Sequence, residues 1–278
     1  MNNYYIVTEA FYHTSFLVNS AIELIEQSKK YDKVILVIRN KLKLTKETLD
    51  FVHDSSNFSD KESQISAIYQ TYGTISAAEQ ALLEYHDIPK RHCLSGANTV
   101  QFEDLNSLEV QSMVRSDVSN KCAGIFLDCI LQPWWITVFS GKVINAHTAI
   151  LPYVKGMYAI EQYILSCSTV ESFENSAGAT LHYIDNGVDT GAIIKTKLLP
   201  DIWSCNSISH VKAESYLQAF GLLIQYSFSE NAFCLNDAKP QEFGGQEFFA
   251  KNYTSEKCEL SNSKYLQFKY QKMESMNG

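Results

Sequence analysis

The sequence predicts an α/β chain, a mostly parallel twisted sheet with flanking helices. Three observations carry this. Short apolar runs alternate with longer stretches of helical period, the pattern of strand–helix repeats. Residues 33–38 and 123–127 are dominated by apolar side chains without strict alternation, as strands covered on both faces are. Polar residues able to do chemistry gather where apolar runs end, and open α/β sheets hold their ligands beyond the carboxyl ends of strands.

The elements follow in order. Residues 4–7 read as a first strand, and 15–30 as an amphipathic helix with Leu17, Ile22, Leu24 and Ile25 at helical spacing. Residues 33–38 form the second strand, and 59–86 are helix-prone with a break at Tyr72, Gly73 and Thr74. A helix over 108–119 precedes the strand at 123–127, and 142–147 gives another strand. Residues 156–167 are helix-like, 180–184 and 192–199 are strands joined by the loop 185–191, and 203–229 is a long helical stretch. From about residue 231 the character changes to a loop-like 240–245 and a charged, aromatic 251–272. This gives a domain over 1–230 and a C-terminal extension over 231–278 packed on it, with frayed residues at 273–278.

Of the 278 residues, 45% are apolar, enough for a sizeable core. A formal net charge of −8 disfavours a nucleic-acid partner. Seven scattered cysteines include no CxxC pair, so neither a disulfide framework nor a metal site is expected. A reducing cytosol fits this usage. No basic, then apolar, leader opens the sequence and no apolar run approaches a membrane span. The expectation is a cytoplasmic protein with no membrane partner; a homodimer is the oligomer left open.

The chemistry concentrates in two stretches. Asn145, Ala146, His147, Thr148, Ala149, Ile150, Leu151 and Pro152 end one apolar run, and Asp185, Asn186, Gly187, Val188, Asp189, Thr190 and Gly191 follow another. An amide N–H can stabilise an oxyanion. An imidazole can give or take a proton near neutral pH. A carboxylate can orient that imidazole or take a proton from an attacking amine. None of the three is a strong nucleophile, so the set suits direct acyl transfer from a bound donor to a bound amine.

These residues resemble the folate-dependent formyltransferases. The family's hallmark runs Asn-x-His-Pro/Thr-Ser-x-Leu-Pro, then His-x-x-Asp-x-Gly-x-Asp-Thr/Gly-Gly-x-Ile-Ile. Here the first part is 145–152, with Gly156 after it, and the second is 182–194. The resemblance implies a Rossmann-like fold, catalysis by Asn145, His147 and Asp189, and 10-formyltetrahydrofolate as formyl donor. It implies that the turn Cys129, Ile130 and Leu131 and the loop of Asp185, Gly187 and Val188 hold the donor's pterin ring. Thr148 and Ala149 depart from the usual Pro-Ser or Thr-Ser, and Cys129 from a polar or basic residue.

Plainer readings stand beside these. Asp189 could be an ordinary turn former before Gly191. Asp185 is as well explained as a loop-stabilising carboxylate as by donor contact. His182 reads as a packed strand residue, and His13, His53, His86, His92 and His210 as surface or satisfied ones. Lys155 reads as a solvated loop lysine, and Trp134 and Trp135 as core. The expected function is N-formylation of a primary amine on a small acceptor, a nucleotide-linked amino sugar being favoured over an amine of a specialised metabolite. The segment 8–13 has no glycine, whereas glycinamide ribonucleotide enzymes of the resembled family carry a Gly-rich phosphate loop there; and only 49 residues, 230–278, follow the long helical stretch, where tRNA-acting members add a larger barrel. A 10-formyltetrahydrofolate hydrolase and a catalytically silent folate-binding relative are the rivals.

Overall fold

The computed structural model describes residues 2–93, 98–234, 236 and 238–277. The elements run β1 Asn2–Glu9, α1 Thr14–Gln27, β2 Lys33–Arg39, α2 Lys46–His53, α3 Lys61–Tyr72, α4 Ala77–Tyr85, β3 Thr99–Phe102, α5 Leu108–Ser116 and β4 Asn120–Ile125. Then come α6 Trp134–Val138, β5 Val143–His147, β6 Val154–Gly156, α7 Ala159–Ser166, α8 Val170–Glu174, β7 Gly178–Tyr183, β8 Ile193–Leu198, α9 Ile208–Phe228, β9 Gln246–Phe248 and α10 Ser255–Asn277. Seven strands form one sheet in the order β3-β2-β1-β4-β5-β7-β8, and β6 pairs with β9. The mostly parallel α/β architecture expected from the sequence is the one observed; β7 and β8 pair antiparallel.

Two compact units divide the chain: Met1–Asn145 with Leu223–Asn236, and Ala146–Leu222 with Asp237–Gly278. The boundary expected at 230/231 falls inside the Leu223–Asn236 stretch of the first unit.

In the first unit β1 is central. It pairs in parallel with β2, Ile6 opposite Leu36, and with β4, Ile6 opposite Gly124. Every residue from Asn3 to Glu9 is buried, which is why this stretch lacks the alternation of a half-exposed strand. The chain order reverses between β1 and β4, so the switch point lies beyond Glu9 and Ile125. Tyr4 is fully buried and its hydroxyl donates to Ser227 Oγ at 2.8 Å.

The second unit has its own core, in which Ile160, Ile164, Phe173, Trp203, Tyr265 and Phe268 are buried together. The last two come from α10, which packs against α7. Tyr265 donates to the carbonyls of Ile202 and Cys205, at 2.6 and 2.8 Å. The expectation of frayed residues from 273 is corrected: α10 continues to Asn277, with Gly278 outside the described residues.

Some boundaries moved for local reasons. The break at 72–74 is Gly73, whose φ of 71° ends α3. The long helix starts at Ile208, because Asp201 Oδ1 accepts from Trp203 N and Ser204 N to make a separate turn. Residues 156–158 are not helical: β6 ends at Gly156 and α7 begins at Ala159. The short elements α2, β3 and β6 were not legible in the apolar pattern.

Candidate active site

The second unit holds a carboxylate between two imidazoles. His147, the last residue of β5, and His182, on β7, are both buried. Asp189 Oδ2 lies 3.3 Å from His147 Nδ1, and its Oδ1 lies 3.4 Å from His182 Nε2. Asp189 Oδ2 also accepts the backbone N–H of Gly156 at 2.9 Å. The backbone at Asp189 is left-handed, with φ 51°. Asp tolerates that region better than most side chains, and such conformations persist where surrounding contacts enforce them. Here Gln241 Nε2 donates to the Asp189 and Gly191 carbonyls, at 2.8 and 2.9 Å.

Gly156 is required where it stands. Its φ is 86°, and a Cβ there would collide with the carbonyl of Phe248. β9 can therefore pair closely with β6, Gly156 opposite Phe248, while the Gly156 N–H remains aimed at Asp189.

The electrostatics follow from burial and contacts. Burial works against charge on Asp189, but the His147 and His182 imidazoles and the Gly156 N–H together hold its carboxyl well below the usual range. For His147, burial is the largest influence and lowers the pKa; Asp189 pulls it back up, and Lys212 and His182 push it down. The Nε2–H of His147 donates to the Val154 carbonyl at 2.9 Å. Its other ring nitrogen faces the carboxylate, so a second proton there is met by a hydrogen-bond acceptor. Asn145 and His147 lie two positions apart on β5, which puts their side chains on one face of that strand. Asn145 is half-buried.

The expected donor-binding residues lie on two segments. In the first unit the turn after β4 leaves Ile130 75% exposed, a large apolar side chain open to a ligand, with Cys129 and Leu131 half-buried. Asn106 pins this turn by donating to the Ile130 carbonyl at 3.0 Å and accepting from Gln132 N at 2.8 Å. In the second unit, Asp185 Oδ1 accepts from Gly187 N at 3.0 Å and Thr190 Oγ1 at 2.5 Å. That carboxylate organises its own loop. A Cβ on Gly187 would strike Thr190 Oγ1, so the closed loop needs glycine there. Val188 is half-buried.

Of the other residues singled out, His182 and Lys155 stand differently from expectation, and Trp135 and His53 as expected. His182 is not merely packed but faces Asp189. Lys155 is buried on β6 rather than solvated in a loop. Trp135 is fully buried and stacks on Phe139. His53 is buried and satisfied, with Nδ1 2.8 Å from the Pro89 carbonyl and Nε2 2.8 Å from the Tyr72 hydroxyl. In the first unit Arg39 at the end of β2 bridges Glu9 and Asp128. Glu9, Asp128 and Cys129 could jointly offer atoms to a metal, but the guanidinium already supplies positive charge to both carboxylates. The sequence offered no signal for this pairing, since its partners are far apart along the chain.

Known proteins resemble this chain in part. A phosphoribosylglycinamide formyltransferase of Haemophilus influenzae is 32% identical over 111 residues, 39% of this chain and 49% of that protein. A trifunctional purine biosynthetic protein adenosine-3 of Chironomus tentans is 34% identical over 88 residues, 32% of this chain and 6% of that protein. The chain therefore spans about half, or far less, of the length of these relatives. The crystal structure of an N-formyltransferase from Helicobacter canadensis, in complex with folinic acid and dTDP-3-aminofucose, superposes with a TM-score of 0.53 at 16% identity, covering 90% of this chain and 72% of that one. At that identity the likeness concerns the fold. The family comparison is broader, because the formyl transferase model matches residues 13–213, well over half of the sequence, and on that match the chain belongs to the formyl transferase family.

Proposed function

We propose that this protein transfers a formyl group from 10-formyltetrahydrofolate to a primary amine of a small acceptor. The observation that carries the reading is the Asp189 carboxylate set against His147, with Asn145 on the same strand face. The acceptor nitrogen attacks the formyl carbon, and the carbonyl oxygen gains the negative charge. Asn145 and protonated His147 stabilise that oxyanion, the His147 Nε2–H leaving the Val154 carbonyl for it. Asp189 holds the imidazolium and helps take the amine's proton. The bond from the formyl carbon to N10 of the folate then breaks as N10 takes up the proton the amine gave up, leaving the formamide and tetrahydrofolate. Loss of one such oxyanion donor typically raises the barrier by about 3–4 kcal/mol. In the first unit Cys129, Ile130 and Leu131, and separately in the second Asp185, Gly187 and Val188, are proposed as contacts of the pterin.

For the acceptor we favour a nucleotide-linked amino sugar. The Helicobacter canadensis protein of similar fold was solved with dTDP-3-aminofucose. A second reading, glycinamide ribonucleotide, draws on the name of the Haemophilus influenzae relative. The β1–α1 turn weighs against it. A ribonucleotide phosphate would want free N–H groups at the start of α1, but the His13 N–H donates to Glu79 Oε1 at 3.2 Å and His13 Nδ1 lies 2.9 Å from the same oxygen. The chain's own carboxylate takes the place an anion would take, and it would repel one.

The test is a turnover assay with 10-formyltetrahydrofolate and, separately, 3- or 4-amino sugar nucleotides, glycinamide ribonucleotide, charged initiator tRNA and water alone. Formylation of a sugar nucleotide is expected. Formylation of glycinamide ribonucleotide would replace the acceptor proposed, and release of formate in every arm would make the protein a hydrolase. His147→Ala is expected to abolish transfer while the melting temperature stays within a few degrees of wild type; activity within a few-fold of wild type would refute the mechanism.

A further inference from the structure

The turn after β4, read above as a contact of the donor, is held by side chains rather than by the sheet. The last strand contact before it is the Phe126 N–H, which donates to the Val7 carbonyl at 3.0 Å. From there to Gln132, whose carbonyl accepts from Trp135 N, no backbone–backbone hydrogen bond is made among the described residues. Two side chains take over. Asn106 fastens the far end, at Ile130 and Gln132. Arg39, the last residue of β2, fastens the near end: its Nη2 contacts Asp128 Oδ1 and also Glu9 Oε1, at the end of β1. Arg39 and Glu9 are buried, and Asp128 is exposed. Side-chain atoms of Glu9, Asp128 and Cys129 lie within 4.8 Å of one another, so the cluster reaches the first donor-contacting residue. A purely structural pair would satisfy its buried atoms. Here Arg39 Nε and both Glu9 oxygens make no well-formed hydrogen bond among the described residues, and buried ion pairs add little to stability over apolar residues of like volume. What the guanidinium does supply is a link from the sheet to Asp128.

We propose that Arg39 is a positioning residue for the formyl donor: by tying Asp128 to Glu9 it fixes the backbone of Cys129, Ile130 and Leu131 in the form that meets the pterin ring. This rests on the assignment of that turn to the donor above. A segment without strand hydrogen bonds samples many backbone states, and ordering it at the moment of binding weakens affinity. Ile130 adds to the need. It is 75% exposed, and a large apolar side chain gains by turning into the protein. A turn held at both ends keeps it available to the ligand. The geometry also says what can replace the guanidinium. One nitrogen, Nη2, makes both contacts, so the single ammonium of a lysine carries the charge and the donors required.

The test titrates folinic acid calorimetrically into the wild-type protein, Arg39→Met, Asp128→Ala, Arg39→Lys and the doubly neutral Glu9→Gln/Arg39→Met. Hydrogen exchange of the amides of 127–131 is followed in the same proteins without ligand. In Arg39→Met, Asp128→Ala and the double variant, the Kd for folinic acid is expected to rise about tenfold or more, the effect of one or two residues left to be ordered on binding. Exchange should quicken in the turn while the amides of β1 and β2 stay as protected as in wild type. Arg39→Lys is expected to stay within a few-fold of wild type in both measurements. Arg39→Met leaves Glu9 buried without a counter-charge. If it does not fold, the double variant and Asp128→Ala, which keeps the buried pair, decide. Unchanged folinic acid affinity in those folded variants, or weaker binding with the turn as protected as before, would overturn the proposal and leave Arg39 a structural residue. A wild-type protein that binds no folinic acid would overturn the assignment of the turn to the donor, and this proposal with it.

Discussion

Asp189 shows how one side chain does several jobs. Its two oxygens meet two imidazoles and a backbone N–H, and its own carbonyl is held by Gln241. Asp189→Asn keeps the volume and removes the charge. Because the carboxylate raises the His147 pKa against burial, its loss lowers that pKa, and the imidazolium becomes scarce at neutral pH. Turnover is expected to fall by about a hundredfold or more, the scale of general-acid contributions. The alkaline limb of the pH–rate profile is expected to shift to lower pH. A steady-state pH series on Asp189→Asn checks both, and an unchanged rate and profile would make Asp189 a turn residue only. Asn145, His147 and Asp189 were legible in the sequence because each stands in a short motif at the end of an apolar run. His182 was not, since a histidine inside an alternating strand looks the same whether it packs or points at a carboxylate.

At the level of elements, the C-terminal helix is part of a core rather than an appendage. Tyr265 and Phe268 of α10 fill the second unit against Phe173, Trp203 and Ile164. Phe268→Ala removes a nearly fully buried ring and is expected to cost about 3–5 kcal/mol, the usual range for such truncations. Denaturant unfolding reads this directly, and a loss below about 1 kcal/mol would mean α10 is only loosely docked. The charged composition of 251–272 concealed the role, because only a narrow stripe of this helix is apolar. The pairing of β6 with β9 was hidden for another reason. Both strands are short, and their partners are joined by contact across most of the second unit's sequence, so no local pattern records it.

The whole molecule should respond to acid through groups buried in the first unit. Burial pushes His53 down to about 4 and His92, which also lies near His53, down to about 3. Unfolded histidines titrate near 6.5, so the unfolded chain takes up these protons first, and stability is lost as pH falls below that value. From pH 7 to pH 5 the two together account for about 3–4 kcal/mol. Glu9 acts in the opposite sense. Burial, only partly offset by Arg39, raises it to about 7. The folded state therefore holds that proton more tightly than the unfolded chain, and stability is gained as pH falls from 7 toward 4.5. Over that range Glu9 gives back about 2 kcal/mol, so the two effects cancel in part in the natural protein. Glu9→Gln removes the gain, so its stability is expected to fall by the full 3–4 kcal/mol between pH 7 and 5, and more steeply than wild type. Urea unfolding at the two pH values compares them, and equal pH dependence in both proteins would contradict the assignment. Below about pH 4.5 a further loss follows, because Glu79 is held at about 2 against its burial by His13 and Ser76.

The sequence by itself determined the α/β class, the strands that carry β1, β2, β4, β5, β7 and β8, and the two motifs that mark the chain's chemistry. These are local matters: apolar periodicity sets which stretches become strands and helices, and turn residues set where they stop. The tertiary structure decided the rest. It made β7 and β8 antiparallel, gave α10 to a core, bridged Glu9 and Asp128 through Arg39, and set Asp189 between His147 and His182. Each of these depends on residues distant in the chain meeting in a medium of low dielectric, where a charge matters by its neighbours and its burial rather than by its place in the sequence.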